Sequence, residues 1–253
     1  MKKIRKRYKV KNIIIMLFVL VCFLLVIYSL FRIFIWKKDV NKNNSIKEEI
    51  GEYVKVLEDD DSTGDKKNIY QVDFAKLRER NSDTVGYIKV KGTNIDYPVV
   101  KAKDNSYYLN HNFYKETNSA GWIFADYRNK YDGTDRNLVI YGHNMRDGSM
   151  FGSMSIILDG TWQNTEGFRY ITLVTTYENT TYEVFSTYVI EPEEYYITTD
   201  FASPEEYLEF LNKVKARSNY NYGISVNEND KILTLSSCSY DGKKRVVLHA
   251  KAS

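Results

Sequence analysis

The chain has 253 residues, of which 43% are hydrophobic and 15% aromatic, too much core material for a disordered protein. Its formal net charge of +3 averages two unlike pieces: residues 1–38 hold ten basic residues and no acid, and the remaining 215 hold 26 basic against 33 acidic. The larger piece is therefore acidic and would repel phosphate, so no nucleic-acid partner is expected.

The N-terminus opens with a basic segment, residues 1–12, carrying seven Lys and Arg. Residues 13–31 then run for 19 positions without a charge, about 28 Å as a helix and close to the hydrocarbon thickness of a bilayer. Basic residues ahead of such a span keep the N-terminus cytoplasmic and put the rest of the chain outside. A cleaved signal peptide would share the basic start. However, the apolar run is long for that, and SLFRIFIW at 29–36 offers no small-residue cleavage site. Cys22 follows the bulky Val21, which argues against a lipoprotein. The reading is an uncleaved single-pass anchor at 13–36, a polar linker at 37–69 and one exported domain at 70–253.

Within the linker, Ile46, Ile50, Val54 and Leu57 recur at three- and four-residue spacing, which predicts a stalk helix packed loosely on the domain. Residues 73–80 (DFAKLRER) predict a short helix with Phe74 and Leu77 on one face. From there, short segments rich in β-branched and aromatic residues predict eight strands. They fall at 85–90, 97–100, 121–125, 137–141, 170–176, 182–190, 231–238 and 245–250. One helix interrupts them: Ser203 as N-cap, Pro204 at the first helical position, acids at 205 and 206, then Leu208, Leu211 and Val214. The fold class is mostly β, a barrel with peripheral helices, an N-terminal helix and an inserted helix before the last two strands.

Cys238 is the only thiol beyond the anchor, so it has no intrachain disulfide partner, and three scattered histidines give no metal-ligand spacing. No cofactor is expected. A lone cysteine is by default an incidental buried residue, but its surroundings argue otherwise. Asp241-Gly242 between two strands is a two-residue hairpin signal. It pairs Cys238 with Arg245, Ser236 with Val247 and Thr234 with His249 on one face, and leaves Leu233, Leu235, Val246 and Leu248 to the core face. A thiol with a free pKa of about 8.5 needs a cationic or basic neighbour to react. Arg245 stays protonated, so a general acid–base must be a histidine. His249 lies about 13 Å along the strand from Cys238. His111 sits in an aromatic loop and reads as structural. His143 ends an apolar strand and enters the loop GHNMRDG, where position alone favours a surface histidine.

These residues resemble the sortases, and within them class B. The matching features are YGHNM at 141–145, TLSSC at 234–238 and an Arg seven residues after the Cys. They are joined by NIDYPVV (94–100), KDNSYYLNHNF (103–113), GWIFADYRN (121–129) and DGSMF (147–151). The helix before the Cys strand looks like the insertion that marks class B. Ser237 departs from the Thr usual in TLxTC but keeps the hydroxyl.

The resemblance implies an eight-stranded barrel and a membrane-anchored cysteine transpeptidase on a Gram-positive cell surface. Cys238 would attack the Thr carbonyl of a C-terminal sorting signal, His143 would shuttle the proton, and Arg245 would stabilise the oxyanion. An amine of the peptidoglycan precursor would then accept the surface protein. Ser236, on the face of Cys238, is a candidate for lining the peptide groove, although its hydroxyl could equally bond a neighbouring strand. Asp126, Arg128 and Asp147 could serve as acid–base or groove residues, but structural salt links and turn caps are the favoured reading. Two rivals remain open from sequence alone: a surface cysteine peptidase, in which water resolves the same acyl-enzyme, and a non-catalytic anchored binding protein.

Overall fold

The computed structural model describes residues 2–60, 66–165, 167–238 and 243–253. The chain divides into two compact units, Met1–Lys42 and Asn43–Ser253. The first consists of most of the long helix α1 (Lys2–Gly51), whose apolar side chains between Ile13 and Phe34 are exposed. This helix is long and apolar enough to cross a membrane.

The second unit begins with the last turns of α1. Ile46 and Ile50 are buried there, 2% and 1% exposed, so this end is packed rather than loosely held. The predicted helical stripe does not continue past Gly51, and a turn bond from the Tyr53 amide to the Ile50 carbonyl closes the helix. Val54 and Leu57 instead lie on β1 (Val54–Asp60), which pairs antiparallel with β2 (Lys66–Val72). A three- and four-residue spacing spread over only four apolar positions is compatible with a helix that ends halfway and a strand that takes over.

After the short helix α2 (Phe74–Arg80), capped by the Asp73 side chain on the Lys76 amide, come eight barrel strands. They are β3 (Thr84–Val90), β4 (Asp96–Val100), β5 (Phe124–Ala125), β6 (Asn137–Gly142), β7 (Tyr170–Thr175), β8 (Asn179–Ile190), β9 (Ile232–Cys238) and β10 (Arg245–Ala252). The closed order is β10-β8-β7-β3-β4-β5-β6-β9. Closure leaves no unpaired edge. All eight predicted strands are present; the third is shorter than expected because Gly121, Trp122 and Ile123 approach it as irregular chain. A five-residue helix, α3 (Gly160–Asn164), was not predicted. The inserted helix α4 (Pro204–Ala216) has the expected N-cap, with Ser203 Oγ accepting from the Glu206 amide at 3.2 Å.

Leu233, Leu235, Val246 and Leu248 are buried as expected of the inner face. The opposite face of β9 and β10 is covered as well at Ile232, Thr234, Ser236, Val247 and His249, all of them buried. Tyr207, Phe210, Leu211 and Val214 of α4 pack there with Phe185, Tyr188, Ile232 and Val247. The apolar stripe of α4 needs a surface to cover, and this strand face supplies it.

Candidate active site

The site is assembled where three strand ends meet. β6 and β9 run parallel, with Gly142 opposite Ser237 as their last pair, so His143 leaves β6 at the level where β9 reaches Cys238. β10 runs antiparallel to β9 and brings Arg245 opposite Cys238, with Val247 opposite Ser236 and His249 opposite Thr234. That is the register expected of an Asp241-Gly242 turn, although residues 241 and 242 themselves lie outside the described residues.

A cleft of about 480 Å³ opens at this end of the barrel. His143, Arg245, Ser236 and Ser237 line it together with Tyr141, Leu109, Tyr196 and Ile197. The sequence-predicted His143, Arg245 and Ser236 therefore share one cavity. Ser236 also bonds the Tyr196 hydroxyl at 3.0 Å, so these two lining residues are tied together. Ser237 pairs across to Val246 on β10 and Gly142 on β6, and is 2% exposed.

His143 is held by backbone. Its Nε2 lies 2.8 Å from the Leu109 carbonyl oxygen, which can only accept, so Nε2 carries a proton. The ring also lies against Gly121: a Cβ there would come within 3.0 Å of His143 Cδ2 and 2.4 Å of the Tyr108 carbonyl oxygen. Gly121 has φ +59°, so both backbone conformation and space require glycine. The Met145 and Phe151 amides both donate to the His143 carbonyl, at 3.1 and 3.0 Å, and fix the loop beyond it.

The cleft wall beside Tyr141 rests on a buried carboxylate. Asp126, fully buried, accepts from Arg128 Nε at 2.8 Å and Nη2 at 2.7 Å, the Tyr141 hydroxyl at 2.7 Å and Asn105 Nδ2 at 3.0 Å. Burial alone would raise this carboxyl, but the bonds from Arg128, Tyr141 and Asn105 outweigh it and hold it below the ordinary carboxylate value. Arg128 Nη2 reaches on to the Ile197 carbonyl at 2.9 Å. Asp126 and Arg128 form a salt link, and Asp147 caps its own turn through the Ser149 amide and hydroxyl.

The other two histidines lie elsewhere. His111 stacks on Tyr107 with ring centroids 4.0 Å apart, and its Nδ1 bonds the Tyr107 carbonyl at 2.8 Å. His249 is fully buried, with Nδ1 2.8 Å from Thr234 Oγ1 and Nε2 2.8 Å from the Tyr188 hydroxyl. Burial pushes its pKa down to about 3. Among the described residues, no group of three or more His, Cys, Asp and Glu side chains is placed to hold a metal ion. Sequence reasoning missed Leu109, Tyr141, Tyr196 and Ile197 as cleft residues. Nothing in an isolated Tyr or Leu separates a groove wall from barrel packing.

Comparison with known proteins agrees with this geometry. A family model, the sortase domain, matches residues 88–253. Sortase B of Listeria monocytogenes is 40% identical over 179 residues, covering 69% of this chain and 72% of that protein. The crystal structure of Clostridium perfringens sortase B is 40% identical with a TM-score of 0.67, covering 71% of this chain and 99% of that one. Two structures of sortase B, one a substrate complex of the Staphylococcus aureus protein and one a complex with triglycine, are 36% identical with TM-scores of 0.67. They cover 71% of this chain and 84% and 85% of theirs.

Proposed function

From the premise that the chain belongs to the sortase family, in its class B branch, and is a cysteine transpeptidase of cell-wall sorting, we propose that Cys238 is the nucleophile, His143 the acid–base group and Arg245 the oxyanion stabiliser. The Cys238 thiolate attacks the carbonyl carbon of Thr in a C-terminal sorting signal. The resulting tetrahedral oxyanion is held by the Arg245 guanidinium. His143 gives its Nδ1 proton to the departing amine, the C–N bond breaks, and a thioester on Cys238 remains. An amine of the peptidoglycan precursor then attacks the thioester, His143 takes its proton, and the new amide leaves the thiolate free.

What carries this reading is the strand register, which brings Arg245 opposite Cys238 and His143 to the same barrel end beside one cleft. Arg245 is half-buried, where a guanidinium attracts a developing anion more strongly than in open water. The sortase B complexes with substrate and with triglycine support a peptide substrate and an amine acceptor for this chain too. Ser236 is read as part of the groove floor. For location, residues 1–12 stay cytoplasmic, 13–36 cross the membrane, 37–69 lead out of it, and the catalytic domain at 70–253 faces the cell wall, where its clients are surface proteins.

The test is product analysis on a library of peptides patterned on sorting signals, with and without amine nucleophiles and with Cys238→Ala as control. Cleavage after Thr with amine joined to the new C-terminus is the expected result. Release of only the free acid at high amine concentration would replace the transpeptidase reading with a peptidase.

A further inference from the structure

We propose that Asn43, in the last turns of α1, is a positioning residue for His143. The inference rests on the reading of His143 as the acid–base group. Asn43 is 1% exposed, and its Nδ2 donates to the Gly121 carbonyl at 2.9 Å. Its Oδ1 accepts from Asn118 Nδ2 at 3.0 Å. Asn118 in turn accepts from the Ala120 amide through Oδ1 at 2.9 Å and from the Gly121 amide through its carbonyl at 3.1 Å, so the segment 118–121 is pinned from both sides. The Asn118 amide also donates to the Asn110 carbonyl at 2.9 Å, next to the Leu109 whose carbonyl holds the His143 ring.

Gly121 is the surface against which that ring rests. A Cβ on Gly121 would stand 2.9 Å from the Leu109 carbonyl oxygen and 3.0 Å from His143 Cδ2, so the three groups leave no room for a side chain between them. A shift of Gly121 toward that space would press on the ring or on the carbonyl that fixes its tautomer, and a shift away would leave the ring room to move. The same helix end reaches the other side of the His143 loop. Lys47 donates to the Asn94 carbonyl at 3.0 Å and lies over the Tyr97 ring, 4.3 Å from its centroid. The Tyr97 hydroxyl accepts from the Met150 amide at 3.1 Å, and Met150 bridges to Asn144, beside His143. Ile46 and Ile50 anchor this helix end by burial. Asn43 lines no part of the cleft, so its role is to fix where the ring stands, not to touch the peptide.

The experiment uses the full chain in detergent with a cleavable sorting peptide, measuring kcat and KM separately over a pH series. His143→Ala, Asn43→Ala, Asn43→Ser and Lys47→Met are compared with Ile171→Ala, a buried truncation on β7 across the barrel. Thermal melts rank the stability of all five. The expected result is a fall of about tenfold or more in kcat for Asn43→Ala, KM within about twofold, and an altered pH profile, since His143 samples other ring positions. Lys47→Met should give a smaller fall in kcat, and Ile171→Ala a lower Tm with kcat within about twofold. If Asn43→Ala does not fold, Asn43→Ser decides. Asn43 variants whose kcat and pH profile match those of Ile171→Ala, while His143→Ala is inactive, would overturn this inference alone. A fully active His143→Ala would overturn the reading on which it rests.

Discussion

One face of the β9–β10 ladder carries Cys238, Arg245 and Ser236 at one end and Thr234 and His249 at the other. The two ends share strands, pairing and hydrogen-bond chemistry, yet they differ in what covers them. At the Cys238 end, the face opens into the cleft beside His143. At the other end, α4 and Tyr188 seal it, and both nitrogens of His249 are used by Thr234 and Tyr188. A buried histidine with both nitrogens bonded and a pKa pushed down to about 3 stays uncharged near neutrality. The ring of His143, by contrast, is held by one backbone carbonyl through Nε2 and lines the open cleft. Residue type alone does not make a site; the cover over a strand face decides which end stays open to a cleft.

Substitutions should separate the two ends. At the cleft end, Cys238→Ala and His143→Ala are each expected to lower kcat by at least about 10³-fold with little change in Tm, read by peptide cleavage and thermal melting. Arg245→Lys keeps the charge but loses the planar fork, and should cost about 10–10²-fold in kcat. A cleavage rate near wild type in either histidine or arginine variant would erase the contrast between the ends. At the sealed end, His249→Ala should behave oppositely, lowering stability by about 2–4 kcal/mol through the cavity and the lost bonds to Tyr188 and Thr234. Its kcat should stay within about twofold below the melting range.

The pH dependence sharpens the same contrast. His249 titrates at about 3 in the folded chain against an ordinary 6.5, so the unfolded chain binds the extra proton between those values. Its contribution is fully present above pH 6.5 and is lost as pH falls toward 3. Wild type should therefore lose up to about 1.4 kcal/mol more per pH unit than His249→Ala across that window, measured by denaturant unfolding. Parallel curves for the two proteins would mean that His249 is not held neutral. The smallest effect is expected for Ser236→Ala. Loss of its bond to Tyr196 should raise KM about two- to fivefold with kcat nearly unchanged.

The same contrast explains what the sequence could and could not reveal. Strands 137–141 and 231–238 were legible because β-branched and aliphatic runs bounded by turn residues have few other solutions. The Cys238–Arg245 pairing followed from the two-residue turn signal. The helix end at Gly51 was not legible, because Ile46, Ile50, Val54 and Leu57 fit a helical spacing as well as a helix followed by a strand. Nor was the cover over Val247 and His249, since an alternating strand does not say whether a helix from elsewhere packs on its second face. Leu109, Tyr141 and Tyr196 entered the cleft through tertiary placement alone. Motif resemblance located His143, whereas its tautomer and its contact with Gly121 required three-dimensional geometry.

The most direct test of the central claim is the intact mass of the full chain mixed with a sorting peptide and quenched in acid, followed by mapping of the adduct. The account predicts the peptide up to its Thr attached as a thioester to Cys238, formed faster than product release, absent from Cys238→Ala and discharged by added amine. Peptide turnover by wild type with no adduct on Cys238, or turnover that persists in Cys238→Ala, would contradict it.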